Sequence, residues 1–168
     1  MSLAVRAEVA EDAEAIRSVL LAAFPTALEA DLVDRLRRDF DSEISLVAEE
    51  CGKIVGHVML SRMTAEGDGR QYRALGLAPV AVVPERQRQG VGGALIEQAL
   101  ASARLLGEEL VFVLGEPAYY ARFGFSAETA KPFVSPYAGP YLMAQALTGL
   151  HLPAKGRAEH APAFADLG

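Results

Sequence analysis

The sequence predicts a mixed α/β domain, a central sheet flanked by helices, and three observations predict it. A continuous apolar run from Leu75 to Val83 is bounded by Pro84, as a fully buried strand would be. A charged turn with three glycines, Gly90, Gly92 and Gly93, follows it and opens into a segment whose apolar residues recur with helical spacing. Along the rest of the 168 residues, further apolar stretches of strand length sit beside stretches of helical period.

Taken in order, Ala4 to Val9 reads as a first strand. Ile16, Val19, Leu20, Ala23 and Phe24 form the buried face of a first helix. Leu28, Leu32, Leu36 and Phe40 mark a second, with Asp31 to Arg35 and Asp34 to Arg38 as supporting pairs four residues apart. Ser45 to Glu49 and Lys53 to Leu60 read as a hairpin about Cys51-Gly52. After the Leu75 to Val83 strand, Val91, Leu95, Ala99 and Ala103, widened by Ile96 and Leu100, predict an amphipathic helix from about Gly90 to Leu106 that Gly107 ends. A strand at Leu110 to Leu114, a short helix through Tyr119-Tyr120, a strand at Tyr141 to Leu147 and a weaker one near Gly156 to His160 complete the order.

Strand, glycine turn and helix start, in that sequence, place unpaired backbone N–H groups and the positive end of a helix dipole at a sheet edge. That is a cradle for an anion, and a diphosphate fits it. Glycine in a first helical turn costs about 1 kcal/mol relative to alanine, so its presence calls for close approach by a ligand or for tight packing of the helix on the sheet. A nucleotide P-loop is excluded because no Lys or Ser/Thr follows Gly92 or Gly93. The dinucleotide fingerprint is disfavoured because Leu95 stands where its third glycine belongs and Glu85 to Gln89 separate strand from glycines.

Gln87-Arg88-Gln89-Gly90-Val91-Gly92 resembles the Gln/Arg-x-x-Gly-x-Gly/Ala motif of the GNAT superfamily of acetyl-CoA-dependent N-acyltransferases. Tyr119-Tyr120-Ala121-Arg122-Phe123-Gly124-Phe125 is similar to the Tyr-x-x-x-Gly-Phe that closes that family's cofactor domain. The pattern extends over most of the chain and is like that of the family's bacterial acetyltransferases of undetermined acceptor. The resemblance implies a GNAT-like fold: a mostly antiparallel central sheet with one splayed parallel strand pair and helices on both faces. It implies acetyl-CoA as cosubstrate, held by main-chain amides of Arg88, Gln89, Gly90, Val91, Gly92 and Gly93. Pro79 agrees with a splay, since proline withdraws one ladder donor, although a plain β-bulge would also accommodate it. By the resemblance, Val80, Val82 and Val83 face the pantetheine arm with their backbone, which pairs like an added strand.

The implied reaction is acetyl transfer to a primary amine by direct attack in a ternary complex. A lysine-like amine, with pKa about 10.4, is almost wholly protonated at pH 7, so a proton must be removed, and the leaving thiolate benefits from an acid. Tyr120, four residues before Gly124, has the spacing of the family's general acid, and Tyr119 is second in line; both could instead be packing residues. Leu75 to Val83 carries no carboxylate, where many relatives have their base. Glu116 is the next candidate, with Glu29, Glu49 and Glu50 behind it, each also readable as a solvated charge. The family's frequent Asn before the tyrosine helix is absent, and Gly115-Glu116-Pro117 shortens that connection. A non-catalytic acyl-CoA sensor or partner-binding domain is the alternative that the missing carboxylate supports.

The remaining composition narrows the class. The whole chain, 1–168, reads as a single N-acetyltransferase domain, about half of it apolar, without repeat or linker. A net charge of −6 disfavours nucleic acid and suits a cationic acceptor, a small amine or a peptide or protein amine. Arg86 and Arg88 flank the glycines as possible phosphate partners or as solvated loop cations. The longest apolar run is too short for a bilayer, and the acidic start is unlike a signal peptide, so no membrane contact and a cytoplasmic location are expected. Cys51 is the single cysteine and forms no internal disulfide. His57 reads as an internal sheet residue, and His151 and His160 lack paired ligand spacing, so no metal is expected. A symmetric homodimer is the commonest assembly for such a chain.

Overall fold

The computed structural model describes residues 2–167. Its sheet has eight strands: β1 (Leu3–Ala7), β2 (Ser42–Glu50), β3 (Lys53–Gly67), β4 (Arg70–Val82), β5 (Leu110–Leu114), β6 (Phe133–Val134), β7 (Leu142–Ala146) and β8 (Gly156–Glu159). The main path runs β1-β2-β3-β4-β5-β7, while β8 lies on the far half of β3 and carries β6. All neighbours are antiparallel except β4 with β5 and β6 with β8, so the expected mostly antiparallel sheet has a central parallel pair and a second, two-residue one at its margin.

Helices cover both faces because the strands alternate. On β2, Leu46 and Ala48 join the core under α3 (Val91–Leu105), while Val47 between them joins the core under α1 (Ala13–Ala23) and α2 (Leu28–Arg38). On β3, Val58 and Leu60 face α3 and Met59 faces α1 and α2. The α3 stripe predicted from the sequence is fully inside: Leu95, Ile96 and Ala99 are completely buried, each large side chain contributing roughly 1.5–3 kcal/mol.

Several boundaries depart from expectation. The second helix stops at Arg38, and Phe40, expected on its buried face, is 89% exposed with φ +60°, because Phe40 N–H bonds back to Arg37 O and turns the chain into β2. Asp31 and Asp34 are gripped from α1 by Arg17 at 3.0 and 2.7 Å, and Arg35 reaches Asp39. The hairpin about Cys51-Gly52 is present, but β3 runs on to Gly67 and turns at Asp68-Gly69 into β4, which starts at Arg70. The alternating Arg62 to Arg73 stretch hid this extension because its charges are paired: Arg62 and Arg73 close on the buried Glu108 at 2.7 and 2.6 Å. Two short elements went unread, α5 (Ala127–Ala130), capped by Ser126, and β6.

Candidate functional site

The loop after β4 is tied down at both ends. Val83 N–H donates to Val55 O at 2.9 Å, and residues Pro84–Arg86 form one 3-10 turn. The Gln87 side chain then donates back to Val82 O at 2.9 Å and that of Gln89 to Glu85 O at 3.3 Å. Between these anchors Arg88 adopts φ +64° and Gly90 φ +86°. A non-glycine in the left-handed region is a local strain of the kind concentrated at functional sites. The first ladder bond of α3 is Ala94 N–H to Gly90 O at 3.0 Å, so the amides of Val91, Gly92 and Gly93 have no carbonyl one turn back. They present a row of donors at the positive end of a fifteen-residue helix.

The wall beside this cradle is β4 after it leaves β5. The parallel ladder holds only Ala74, Leu75 and Gly76 against Leu110, Val111 and Phe112; from Leu77 on, β4 has no partner on that side. On its other side the register with β3 shifts between Val58 and Leu60, which leaves Ala78 and Pro79 opposite Met59 in a bulge. Pro79 therefore accompanies both features that its sequence position suggested. Because Val83 is a bonded partner of Val55, alternation along an antiparallel ladder turns the amides of Val82 and Val80 away from β3 and into the slot. Val83 departs from expectation: its amide is already used.

A cavity of about 930 Å³ fills the slot, walled by Val80 and Val82 on one side and by Gly92, Gly93, Ala94 and Glu97 of α3 on the other. Tyr119, Tyr120, Arg122 and Phe123 line it from α4 (Pro117–Tyr120) and the turn after it. The tyrosine rings stand 5.0 Å apart and perpendicular, so they reach different ends. A β-carbon on Gly92 would lie 3.2 Å from the Tyr119 hydroxyl, which places Tyr119 at the helix end of the slot. A β-carbon on Gly115 would lie 2.5 Å from the Tyr120 ring, which places Tyr120 against the end of β5. Burial, with a smaller contribution from Tyr119, raises the Tyr120 pKa above that of a free phenol, so its hydroxyl keeps its proton at neutral pH. The Arg122 guanidinium stacks 4.5 Å over the Tyr119 ring.

The family model for the acetyltransferase (GNAT) domain matches residues 4–127. The chain belongs to the GNAT family of acetyltransferases. It is similar to the uncharacterized N-acetyltransferase YjhQ of Escherichia coli K12, 42% identical over 132 residues, 77% of this chain and 73% of that one. The uncharacterized N-acetyltransferase YhbS of the same organism is 36% identical over 122 residues, 72% of each chain. Among solved structures, the GNAT family N-acetyltransferase YhbS from Escherichia coli in complex with CoA has a TM-score of 0.87 at 29% identity, over 99% of this chain and 93% of that one. A GNAT acetyltransferase from Brucella melitensis in complex with acetyl-CoA has a TM-score of 0.79 at 34% identity, over 97% and 98%. This GNAT chain is thus an acyltransferase.

The other residues singled out from the sequence do not gather at the GNAT slot. Glu116 is exposed at the start of α4, where its carbonyl receives the amides of Tyr119 and Tyr120, and it does not line the cavity. Glu49 is paired with Arg6 and Glu50 with Arg86, at 3.0 and 2.8 Å, so Arg86 reaches the cavity with its charge already matched. His57 is fully buried in β3, where Nε2 lies 2.8 Å from Ser45 Oγ. Cys51 is exposed at a hairpin tip, and among the described residues no group of three metal-ligating side chains occurs. Arg122, Gln87 and Glu97 also line the cavity without having been expected there; Gln87 was signalled by its place at the head of the glycine motif and Arg122 by its place inside the tyrosine motif, whereas nothing in the sequence signalled Glu97.

Proposed function

We propose that this protein transfers an acetyl group from acetyl-CoA to a primary amine by direct attack in a ternary complex. The observation that carries the reading is the row of unbonded amides at the start of α3, continuous with the partnerless edge of β4. The cradle fits a diphosphate. Gly90 has nothing within 4 Å of where a β-carbon would stand, and Arg88 extends the cationic rim. Amides of Arg88 to Gly93 would hold the phosphates, and those of Val80 and Val82 would pair with the pantetheine arm. The Val80 amide, deeper in the slot than that of Val82, polarises the thioester carbonyl, and Tyr120 gives its proton to the departing sulfur. Tyr119, nearer the helix end, serves contact with the cosubstrate.

Calorimetry with acetyl-CoA and with CoA tests the cradle, and thiol release across a panel of amines tests the chemistry. Heat of binding with thiol released for at least one amine is expected. Binding without any release would leave an acyl-CoA sensor, and absence of binding would end the proposal.

A further inference from the structure

The β4 wall of the slot offers no group to take the proton that the acceptor nitrogen sheds, since Leu75 to Val83 contains no ionisable residue, and Glu97, which lines the cavity from α3, is exposed to solvent. The structure brings an imidazole against that strand from the far end of the chain. Gly76 is the last residue of β4 in the ladder with β5. A β-carbon built on it would lie 3.2 Å from Cδ2 of His160 and 3.1 Å from the sulfur of Met63, so glycine lets the imidazole rest against the strand where the parallel pair parts. The contact is on the face away from α3: Leu75 and Leu77 join the α3 core, whereas Ala74 and Phe112 pack with Met63.

Two rings hold the imidazole. Tyr137 stands perpendicular to it at 5.2 Å and Phe164 is tilted at 5.1 Å, and the Tyr137 hydroxyl donates to Phe164 O at 3.3 Å. Ser61, directly across the ladder from Gly76, is fully buried. Neither its Oγ nor Nδ1 of His160 has a hydrogen-bond partner among the described residues. Two buried polar atoms left unmatched around one glycine are costly, and a ligand's polar hydrogen would relieve that cost.

Distance agrees. From Val83 back to Ala78 the strand runs about 17 Å at about 3.3 Å per residue, the length of an extended pantetheine arm. A thioester whose phosphates lie in the cradle therefore ends beside Ala78, next to the residue on which His160 rests. Resting on the acetyl-CoA reading above, we propose that His160 is the base of the transfer, a catalytic residue that receives the proton of the acceptor nitrogen on the face away from α3.

In that step the free amine nitrogen bonds to the thioester carbon as the carbon–sulfur bond breaks. The nitrogen's proton passes to the imidazole, and Tyr120 protonates the sulfur. Imidazolium and phenolate then exchange a proton through solvent, which leaves amide and thiol. Burial lowers the His160 pKa to about 4, so its lone pair is free at neutral pH. A base so weak suffices because the nitrogen becomes far more acidic once it is bonded to the carbonyl carbon.

A crystal of the complex with CoA gives the first test. The sulfur is expected beside Ala78, within about 7 Å of the imidazole, room for one attacking nitrogen and its hydrogen bond. CoA absent from the slot would sink the acetyl-CoA reading itself; CoA bound with its sulfur elsewhere would overturn only the role of His160. The second test is turnover of His160→Ala and His160→Gln with spermidine, an aminoglycoside, an amino acid and a short peptide. Where none of these reacts, the basal hydrolysis of acetyl-CoA, which sheds a proton at the same point, is read instead. Turnover should fall about 10²-fold or more, the usual worth of a general base, with CoA affinity within about twofold by calorimetry. Added imidazoles should rescue His160→Ala in proportion to their basicity, and His151→Ala should behave as wild type. Unchanged turnover, or rescue independent of basicity, would overturn the proposal.

Discussion

Two tyrosines adjacent in sequence have separate positions in the slot, and this is where substitutions divide most sharply. Tyr120→Phe keeps the ring against Gly115 and removes the proton, so kcat should fall by about 10²-fold while the acetyl-CoA dissociation constant stays within about twofold. Equal turnover of both proteins in a thiol-release assay would remove Tyr120 from its role. Gly92→Leu puts side chain where the Tyr119 hydroxyl already stands 3.2 Å from the β-carbon position. CoA affinity measured by calorimetry should drop by about 10²-fold or more, about 3 kcal/mol, with an unchanged far-ultraviolet circular dichroism spectrum; retained affinity would mean that the cradle lies elsewhere. Both residues were readable from the sequence because each sits in an ordered motif. His160 was not, since nothing in a linear pattern announces that a residue 84 positions after Gly76 will rest on it.

Among elements, β1, α2, β2 and β3 are locked by one polar cluster. Glu8, just past β1, accepts from Arg37 of α2 at 2.8 and 3.0 Å and from Ser45 of β2, whose Oγ also meets the buried His57 of β3. Burial alone would raise the Glu8 pKa, but the His57 ring 3.8 Å away and hydrogen bonds from Arg37 and Ser45 outweigh it and hold the group at about 2. His57 is pushed below its ordinary value by burial, which outweighs the pull of Glu8, and His160 is lowered to about 4 by burial. For each of these groups the unfolded chain binds the proton more readily than the folded one, so stability present above the unfolded pKa is lost as pH falls toward the folded pKa. Urea midpoints should therefore decline from pH 6.5 to 4 by an amount equivalent to about 3 kcal/mol from His160 alone. They should decline further below pH 4.5 as Glu8 begins to titrate in the unfolded state. In His160→Gln the upper part of the slope should shrink; an identical slope would show that burial of this imidazole does not govern it. The amphipathic helices and β5 were legible because their periods are clean, with Leu110–Leu114 read to the residue. The long β3–β4 hairpin was not, because arginines neutralised by buried or half-buried carboxylates look like a solvated turn until the partners are seen.

At the scale of the molecule, the slot is a seam between two faces that are otherwise sealed, and filling it should stiffen both. With CoA at about 100 times its dissociation constant, mass action adds about 2.7 kcal/mol, which for a chain of this size is a rise of roughly 5–10 °C in Tm. Differential scanning fluorimetry at several CoA concentrations should show the increase growing with the logarithm of concentration, and a flat response would contradict a site that belongs to the folded state. Fold class and cosubstrate site were open to reading at this scale because both rest on main-chain geometry that a few glycines and one proline dictate. The ring cluster of Tyr137, His160 and Phe164, in which the proposed base sits, was closed to it, because it joins the segment between β6 and β7 to residues that follow β8. With His160 as the proposed base, one polypeptide holds two inheritances: the stretch proposed to handle the acyl donor is already finished by Phe125, and the strip proposed to meet the incoming nucleophile is stitched on behind it. Exchange of the latter between cousins should redirect which nitrogen compounds are modified while leaving the donor half untouched.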